Sequence, residues 1–209
     1  MEHLLVKSLE YEKSCFSKQD EFYKRIGVSN ITRFDYDNPE EKELQRKDID
    51  LELTFKTGKV VSVSEKNRPT NYGDLLFEIW SVYEQGKPGW SVTGESDLTF
   101  YFVNSLETPY VGIFNTKSLH AFIKDNDILT QITPEVWDGL HNDSKCILDI
   151  GLRIRGLETP VKCSLIKAHN KGYDTMSLSV PYSVLDRYGL KYRLCDWDGK
   201  TITDIKWKK

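Results

Sequence analysis

Residues 48–66 read DIDLELTFKTGKVVSVSEK. Ile49, Leu51, Leu53 and Phe55 alternate with Asp48, Asp50, Glu52 and Thr54, the period of a strand with one buried face. Thr57-Gly58 supplies a turn. Lys59 to Lys66 alternates again, with Val61 and Val63 on one face and Ser62, Ser64 and Lys66 on the other. Two such runs joined by a short glycine turn predict a β-hairpin. Its polar face carries Asp48 and Asp50 on one arm and Ser64 and Lys66 on the other, with carboxylate and ammonium near one end.

Working outward, residues 3–16 have apolar positions at helical spacing and predict an amphipathic helix. Ser17 reads as the N-cap of a second helix over 18–26, closed by Gly27. The charged stretch 35–47 reads as a solvated loop, or a short helix starting at Pro39. In 72–83, YGDLLFEIWSVY, Leu75, Leu76, Ile79 and Tyr83 fall on one helical stripe. Strands are expected at 98–103 and 109–114, and a helix at 115–125. Thr133-Pro134-Glu135 starts a helix by the cap-then-proline rule. Strands follow at 147–153 and 175–180, then a helix from Pro181 to Tyr188 closed by Gly189. The order predicts an α/β (α+β) fold, a central mixed β-sheet flanked by helices. No linker composition breaks the chain. It reads as one domain over 1–209, with a core of about 1–130 and residues 131–209 packed on it as an extension.

The 209 residues include 25 aromatics (five Trp, eleven Tyr, nine Phe), which need a core and exclude global disorder. No stretch approaches the ~18–20 apolar residues of a membrane span. The opening MEHLLVKSLEYEK does not read as a secretory signal, so a cytoplasmic location is expected. The four cysteines and four histidines are scattered, without zinc-ligand spacing. No nucleotide-binding glycine loop occurs, which argues against a nucleotide cofactor. The net charge of −3 and pI near 5.9 give no electrostatic footprint for nucleic acid. A site of carboxylates around a cation is nevertheless compatible with that balance, because the ion reverses the local sign.

Asp50, Lys66 and Glu78 are the candidate catalytic residues. Glu78 is the only acid between Leu75 and Trp80, and an acid within an apolar stripe usually has a partner. Two acids and a lysine brought together suit Mg²⁺-dependent phosphodiester hydrolysis. Carboxylates hold the hard cation, the cation activates water, and lysine meets developing negative charge. The same polar residues are also what an ordinary solvated strand face carries.

The segments QRKDIDLEL (45–53), GKVVSVSEK (58–66), GDLLFEIW (73–80), KPGW (87–90) and ESDLTFYF (95–102) resemble, in order and spacing, a bacterial and phage group of small PD-(D/E)XK-superfamily proteins. A weaker echo lies in SLSVPYSVL (177–185). The resemblance implies a restriction-endonuclease-like fold and a metal-dependent endonuclease acting on DNA with Mg²⁺ or Mn²⁺. Asp50 matches the motif acid, Lys66 the motif lysine and Glu78 a helix acid, which makes Asp50 and Glu78 the implied metal ligands. Asp48 stands where the group often has glycine. Ser64 occupies the position of the motif's second carboxylate, and Glu65 should point to the opposite face. Some restriction enzymes of this kind read S-x-K and take the acid from the next helix, the role Glu78 would fill.

Glu12 and Glu21 are accessory candidates on the N-terminal helices. Asp97 caps a strand entry or lies beside the site. Arg68 and Lys87 are candidate DNA contacts, with Arg153, Arg155, Lys167 and Lys171 as further basic positions. Trp90 reads as core. Homodimers are common among the enzymes resembled. Two alternatives stand beside the nuclease: an inactive nuclease fold binding nucleic acid or a protein, and an unrelated α+β interaction protein.

Overall fold

The computed structural model describes residues 3–34, 38–197 and 202–204. Helix α1 (His3–Arg25) precedes strand β1 (Val28–Arg33), helix α2 (Pro39–Arg46) and strands β2 (Leu51–Phe55) and β3 (Val60–Arg68). Strand β4 (Asp74–Val82), a 3-10 turn (Tyr83–Gln85), the short β5 (Lys87–Pro88) and α3 (Trp90–Thr93) follow. Next come β6 (Leu98–Val103), β7 (Tyr110–Asn115), α4 (Thr116–Asp125), α5 (Ile128–Gln131) and α6 (Pro134–Asn142). The order ends with β8 (Ile147–Leu152), β9 (Val161–Asn170), β10 (Tyr173–Pro181), α7 (Tyr182–Tyr188), β11 (Tyr192–Trp197) and β12 (Ile202–Asp204). The fold is mixed α/β, as expected. Among the described residues no helix is long and apolar enough to cross a membrane.

The chain forms two compact units, each discontinuous in sequence. Among the described residues, unit 1 comprises 3–34, 38–71, 94–116, 192–197 and 202–204, and unit 2 comprises 72–93 and 117–191. None of the crossings between units falls at 130/131.

Unit 1 holds a sheet in the order β1-β2-β3-β6-β7-β11-β12. It is mixed: β3 and β6 run parallel, and the other neighbours are antiparallel. The 48–66 hairpin forms as read, with Leu51 opposite Val63 and Leu53 opposite Val61. Gly58 sits in the turn at φ 81°, a conformation glycine adopts without steric cost. Leu51, Leu53, Val61 and Val63 are buried against Phe22 and Tyr23 of α1 and Phe100 and Phe102 of β6. Edge-to-face contacts of Tyr23 with Phe100 (5.2 Å) and of Phe22 with Phe102 (5.8 Å) lock the helix to the sheet.

The expected break at Ser17 is absent, and α1 is one helix of 23 residues. Cys15, Gln19, Phe22 and Tyr23 are buried while Ser17 is exposed, so one helical stripe runs straight past it. A serine caps only where that pattern breaks. Strand β1 follows α1 and is not among the elements expected from the sequence.

Unit 2 holds an antiparallel sheet in the order β5-β4-β10-β9-β8. Here the helix expected over 72–83 is corrected: the segment is strand β4. Leu75, Phe77 and Ile79 are fully buried while Leu76, Glu78 and Trp80 between them are only partly so, a period of two. The apolar positions fit both periods in so short a window. The aromatic and β-branched content and the pairing of Leu75 with Val180 and Phe77 with Leu178 decide for the strand. Strand β9 is likewise outside the expected elements, although Val161, Cys163 and Leu165 alternate inward.

Candidate functional site

The hairpin-end cluster is built by the end of α2 and the start of β2. The Asp48 N–H donates to Gln45 O (3.0 Å) and the Ile49 N–H to Leu44 O (3.0 Å), the paired bonds of a Schellman stop. Asp48 occupies its left-handed position at φ 59°. It therefore precedes β2 instead of lying on the strand, as the alternation had suggested. Asp50 is held by its own N–H to Val63 O (2.9 Å), and its Oδ2 accepts the Glu65 N–H at 2.7 Å.

Lys66 Nζ donates to Asp48 Oδ1 at 2.5 Å and lies 3.9 Å from Asp50 Oδ2. Two carboxylates thus share one ammonium. Asp48 Oδ2 is buried without a hydrogen-bond partner. Burial pushes the Asp50 carboxyl up to about 6, with Lys66 pulling it down and the Asp48 charge adding to the rise. Ser64 is fully buried, and its Oγ has no partner.

Glu65 leaves the cluster for the α1 face, as strand alternation requires. Its Oε1 accepts from Tyr23 Oη at 2.6 Å and its Oε2 from Arg33 Nη1 at 2.5 Å, while Arg33 also donates to Asp20. Arg33 lies over the Phe16 ring at 4.1 Å, which adds a cation–π contact. Glu65 is therefore a structural anchor. Glu12 lies within the fields of Lys66 and Glu65. Burial raises its carboxyl above the ordinary value, Lys66 lowers it and Glu65 raises it further. Glu21 is bonded to Arg25 one turn along α1. Asp97 ties β6 to β3: its Oδ2 accepts from Ser62 N and Ser62 Oγ, both at 2.9 Å.

Glu78 belongs to β4 of unit 2, and Lys66 to β3 of unit 1. The acid supplied from a following helix loses its premise, because no helix follows. Glu78's surroundings are those of a packed strand: its carbonyl accepts from Ser91 Oγ at 2.5 Å, and Gly89 packs so closely on it that a Cβ there would lie 2.3 Å from Glu78 O. Trp90 stacks on Phe77 at 6.4 Å, in keeping with packing. Among the basic candidates, Arg68 donates to Tyr101 Oη at 3.2 Å in unit 1. Lys87, Arg153, Arg155, Lys167 and Lys171 belong to unit 2.

Unit 2 brings together a second group. Glu84 on the 3-10 turn, His141 near the end of α6 and Asp174 on β10 place ligand atoms within 4.8 Å of one another. His141 Nδ1 donates to Asp174 Oδ2 at 2.7 Å and His169 Nδ1 to Asp174 Oδ1 at 2.6 Å. The Asp174 N–H donates to both Glu84 oxygens, at 2.8 and 3.0 Å. Burial pushes the Asp174 carboxyl up, but the two imidazole hydrogen bonds outweigh this and hold it below its ordinary value. The absence of metal-ligand spacing in the sequence concealed this group. One part was legible: the Lys171-Gly172 turn of a hairpin sets His169 opposite Asp174.

No protein-family profile, curated protein or solved structure matches this chain.

Proposed function

We propose that unit 1 carries a divalent-cation-dependent nuclease centre at the end of the 48–66 hairpin, acting on DNA with Mg²⁺ or Mn²⁺. The observation that carries this reading is the convergence of Asp48 and Asp50 on Lys66, with Asp48 Oδ2 buried and unpartnered. A buried orphan acceptor in an acid-rich corner fits a cation. The donor set is all oxygen, and two carboxylates would leave coordination positions for waters, as Mg²⁺ prefers. The left-handed backbone at Asp48, which glycine adopts most readily, supports the resemblance stated above, as does the mixed sheet.

Asp50 and Asp48 would hold the ion, with Glu12 nearby as a further carboxylate. When bound, the cation supplies a polarised phosphate and a water of lowered pKa. Lys66 is released from Asp48 to face charge developing on the phosphate oxygens. Asp50 stays oriented by the Glu65 N–H. Glu78 has no part in this reading. A cytoplasmic location belongs to it, as the compartment where DNA and free Mg²⁺ meet, and a homodimer would give two cuts.

One observation favours a second reading, an inactive nuclease fold that binds nucleic acid or a protein. Ser64 stands buried where the motif has its second carboxylate. The test is cleavage of plasmid and single-stranded DNA with Mg²⁺, Mn²⁺ or EDTA. Metal-dependent cutting reduced at least about 100-fold by Asp50→Asn and by Lys66→Ala is expected. Binding without cutting in any metal selects the second reading. Absence of both leaves an interaction protein whose hairpin face is only solvated.

A further inference from the structure

We infer that Glu84, His141 and Asp174 of unit 2 form a second metal site, for a borderline first-row dication such as Zn²⁺. The three residues offer one imidazole nitrogen and two carboxylate oxygens within 4.8 Å of one another. That donor set differs in kind from the hairpin's all-oxygen cluster. Imidazole with carboxylates suits Zn²⁺, Co²⁺ or Ni²⁺, whereas Mg²⁺ takes oxygen and water.

The group is held in place from several sides. The Asp174 N–H grips both Glu84 oxygens. Lys167 Nζ donates to the His141 and Asp143 carbonyls, at 3.0 and 2.5 Å, and so ties down the end of α6. Tyr83 Oη donates to Asp138 at 2.6 Å, and its ring lies 5.3 Å from that of His141. These bonds fix the turn bearing Glu84 against the helix bearing His141. Ordering the ligands in advance lowers the cost of binding.

The charge balance points the same way. The Asp174 side chain is only 3% exposed, yet among the described residues no lysine or arginine forms an ion pair with Asp174 or Glu84. The side-chain partners of Asp174 are the two imidazoles, at 2.7 and 2.6 Å, and imidazole is itself a preferred ligand of Zn²⁺. Zn²⁺ bonds of about 2.0–2.2 Å set ligand atoms roughly 3–3.5 Å apart. The 2.7 Å pair of His141 and Asp174 must open slightly, and the 3.8 Å pair of His141 and Glu84 must close slightly. Both are side-chain adjustments. As His141 Nδ1 becomes a ligand its proton moves to Nε2 of the same ring, the tautomer that leaves Nδ1 free to coordinate. His169, bonded to the other Asp174 oxygen and 76% exposed, orients that carboxylate from outside the ligand set. Three protein ligands leave further positions open, as in catalytic sites.

The test is titration of the metal-free full chain with Co²⁺, read by visible absorption, followed by displacement with Zn²⁺. Equilibrium dialysis gives the stoichiometry. The expected result is one ion per chain that persists in Asp50→Asn and ignores excess Mg²⁺. Persistence in Asp50→Asn separates this site from the hairpin, so either proposal can fail alone. Glu84→Gln and His141→Ala should weaken binding at least about 100-fold, and His169→Ala about 10-fold. Cys146→Ser, at the exposed thiol, should change nothing. Substoichiometric binding by the unaltered chain overturns the inference without any variant. So does binding that survives Glu84→Gln combined with His141→Ala in a chain whose circular dichroism is native.

Discussion

The two units each gather an acidic group, and they neutralise it differently. In unit 1 the Asp48 and Asp50 carboxylates share a covalently tethered cation, the Lys66 ammonium. In unit 2, among the described residues, Glu84 and Asp174 are met by imidazoles and backbone N–H groups. The tethered ammonium bonds Asp48 Oδ1 and leaves Asp48 Oδ2 bare, while burial holds the Asp50 carboxyl up at about 6 against the pull of Lys66. Imidazoles share themselves better: both Asp174 oxygens are bonded and its carboxyl is held low. The hairpin acids are thus a strained arrangement that a hard cation would relieve. The unit 2 acids are a relaxed one in which a softer cation would take the place of the His141–Asp174 hydrogen bond.

The largest stability effect should come from the anchor beneath the hairpin. Glu65 is 5% exposed and bonded to Tyr23 and Arg33. Glu65→Ala leaves a buried guanidinium without its main partner and should destabilise the chain by about 3–5 kcal/mol. Urea unfolding followed by circular dichroism measures it. Replacement of Glu65 with less than about 1 kcal/mol lost would mean that the ion pair is not formed in solution.

Next in size, isosteric substitutions should move the two units in opposite directions. Asp50 has its folded pKa raised from 3.8 to about 6. The folded state therefore binds the proton more tightly than the unfolded one, and stability falls as pH rises through about 4 to 6. Asp50→Asn keeps an acceptor for the Glu65 N–H and removes that charge. It should stabilise by on the order of 1–3 kcal/mol at pH 7.5, with the gain gone by about pH 4. Asp174 is held below its ordinary value, so its contribution is present above about pH 4 and lost as pH falls through the lowered folded pKa. Asp174→Asn should destabilise by about 1–3 kcal/mol at pH 7.5, because an amide replaces an acceptor of two imidazole bonds. Melting curves at both pH values compare the pair. Two shifts of the same sign would erase the distinction between the units.

The half of this contrast that could be read from sequence is the local half. The 48–66 hairpin announces itself by a strict period of two around Thr57-Gly58, and Lys66 then falls near Asp48 and Asp50 by register alone. Pro39 and Gly27 mark their helix ends because each acts within a few residues. The remainder depends on distant partners. Residues 72–83 fit both helical and strand periods until β10, some hundred residues on, pairs Val180 with Leu75. Ser17 has the chemistry of a cap, but α1 packs through it. Glu84 and Asp174 lie 90 residues apart and His141 and Asp174 33 apart, so no spacing rule could gather them. Only the His169–Asp174 pairing, across a glycine turn, was within reach of local reading.

The smallest effect sharpens the hairpin side of the comparison. Asp48 combines a left-handed backbone, which favours glycine, with a carboxylate that holds Lys66. Asp48→Gly relieves the first and loses the second. In the metal-free chain these terms oppose, and the net change should stay within about 1 kcal/mol. Asp48→Asn keeps a residue tolerant of that backbone while removing the charge, and should match it within the same range. With Mg²⁺ the two remain alike if Asp48 is a ligand, since both lose the cation-induced rise in melting temperature that the unaltered chain should show. A full rise in both would remove Asp48 from the ligand set and leave Asp50 and Glu12 to carry it.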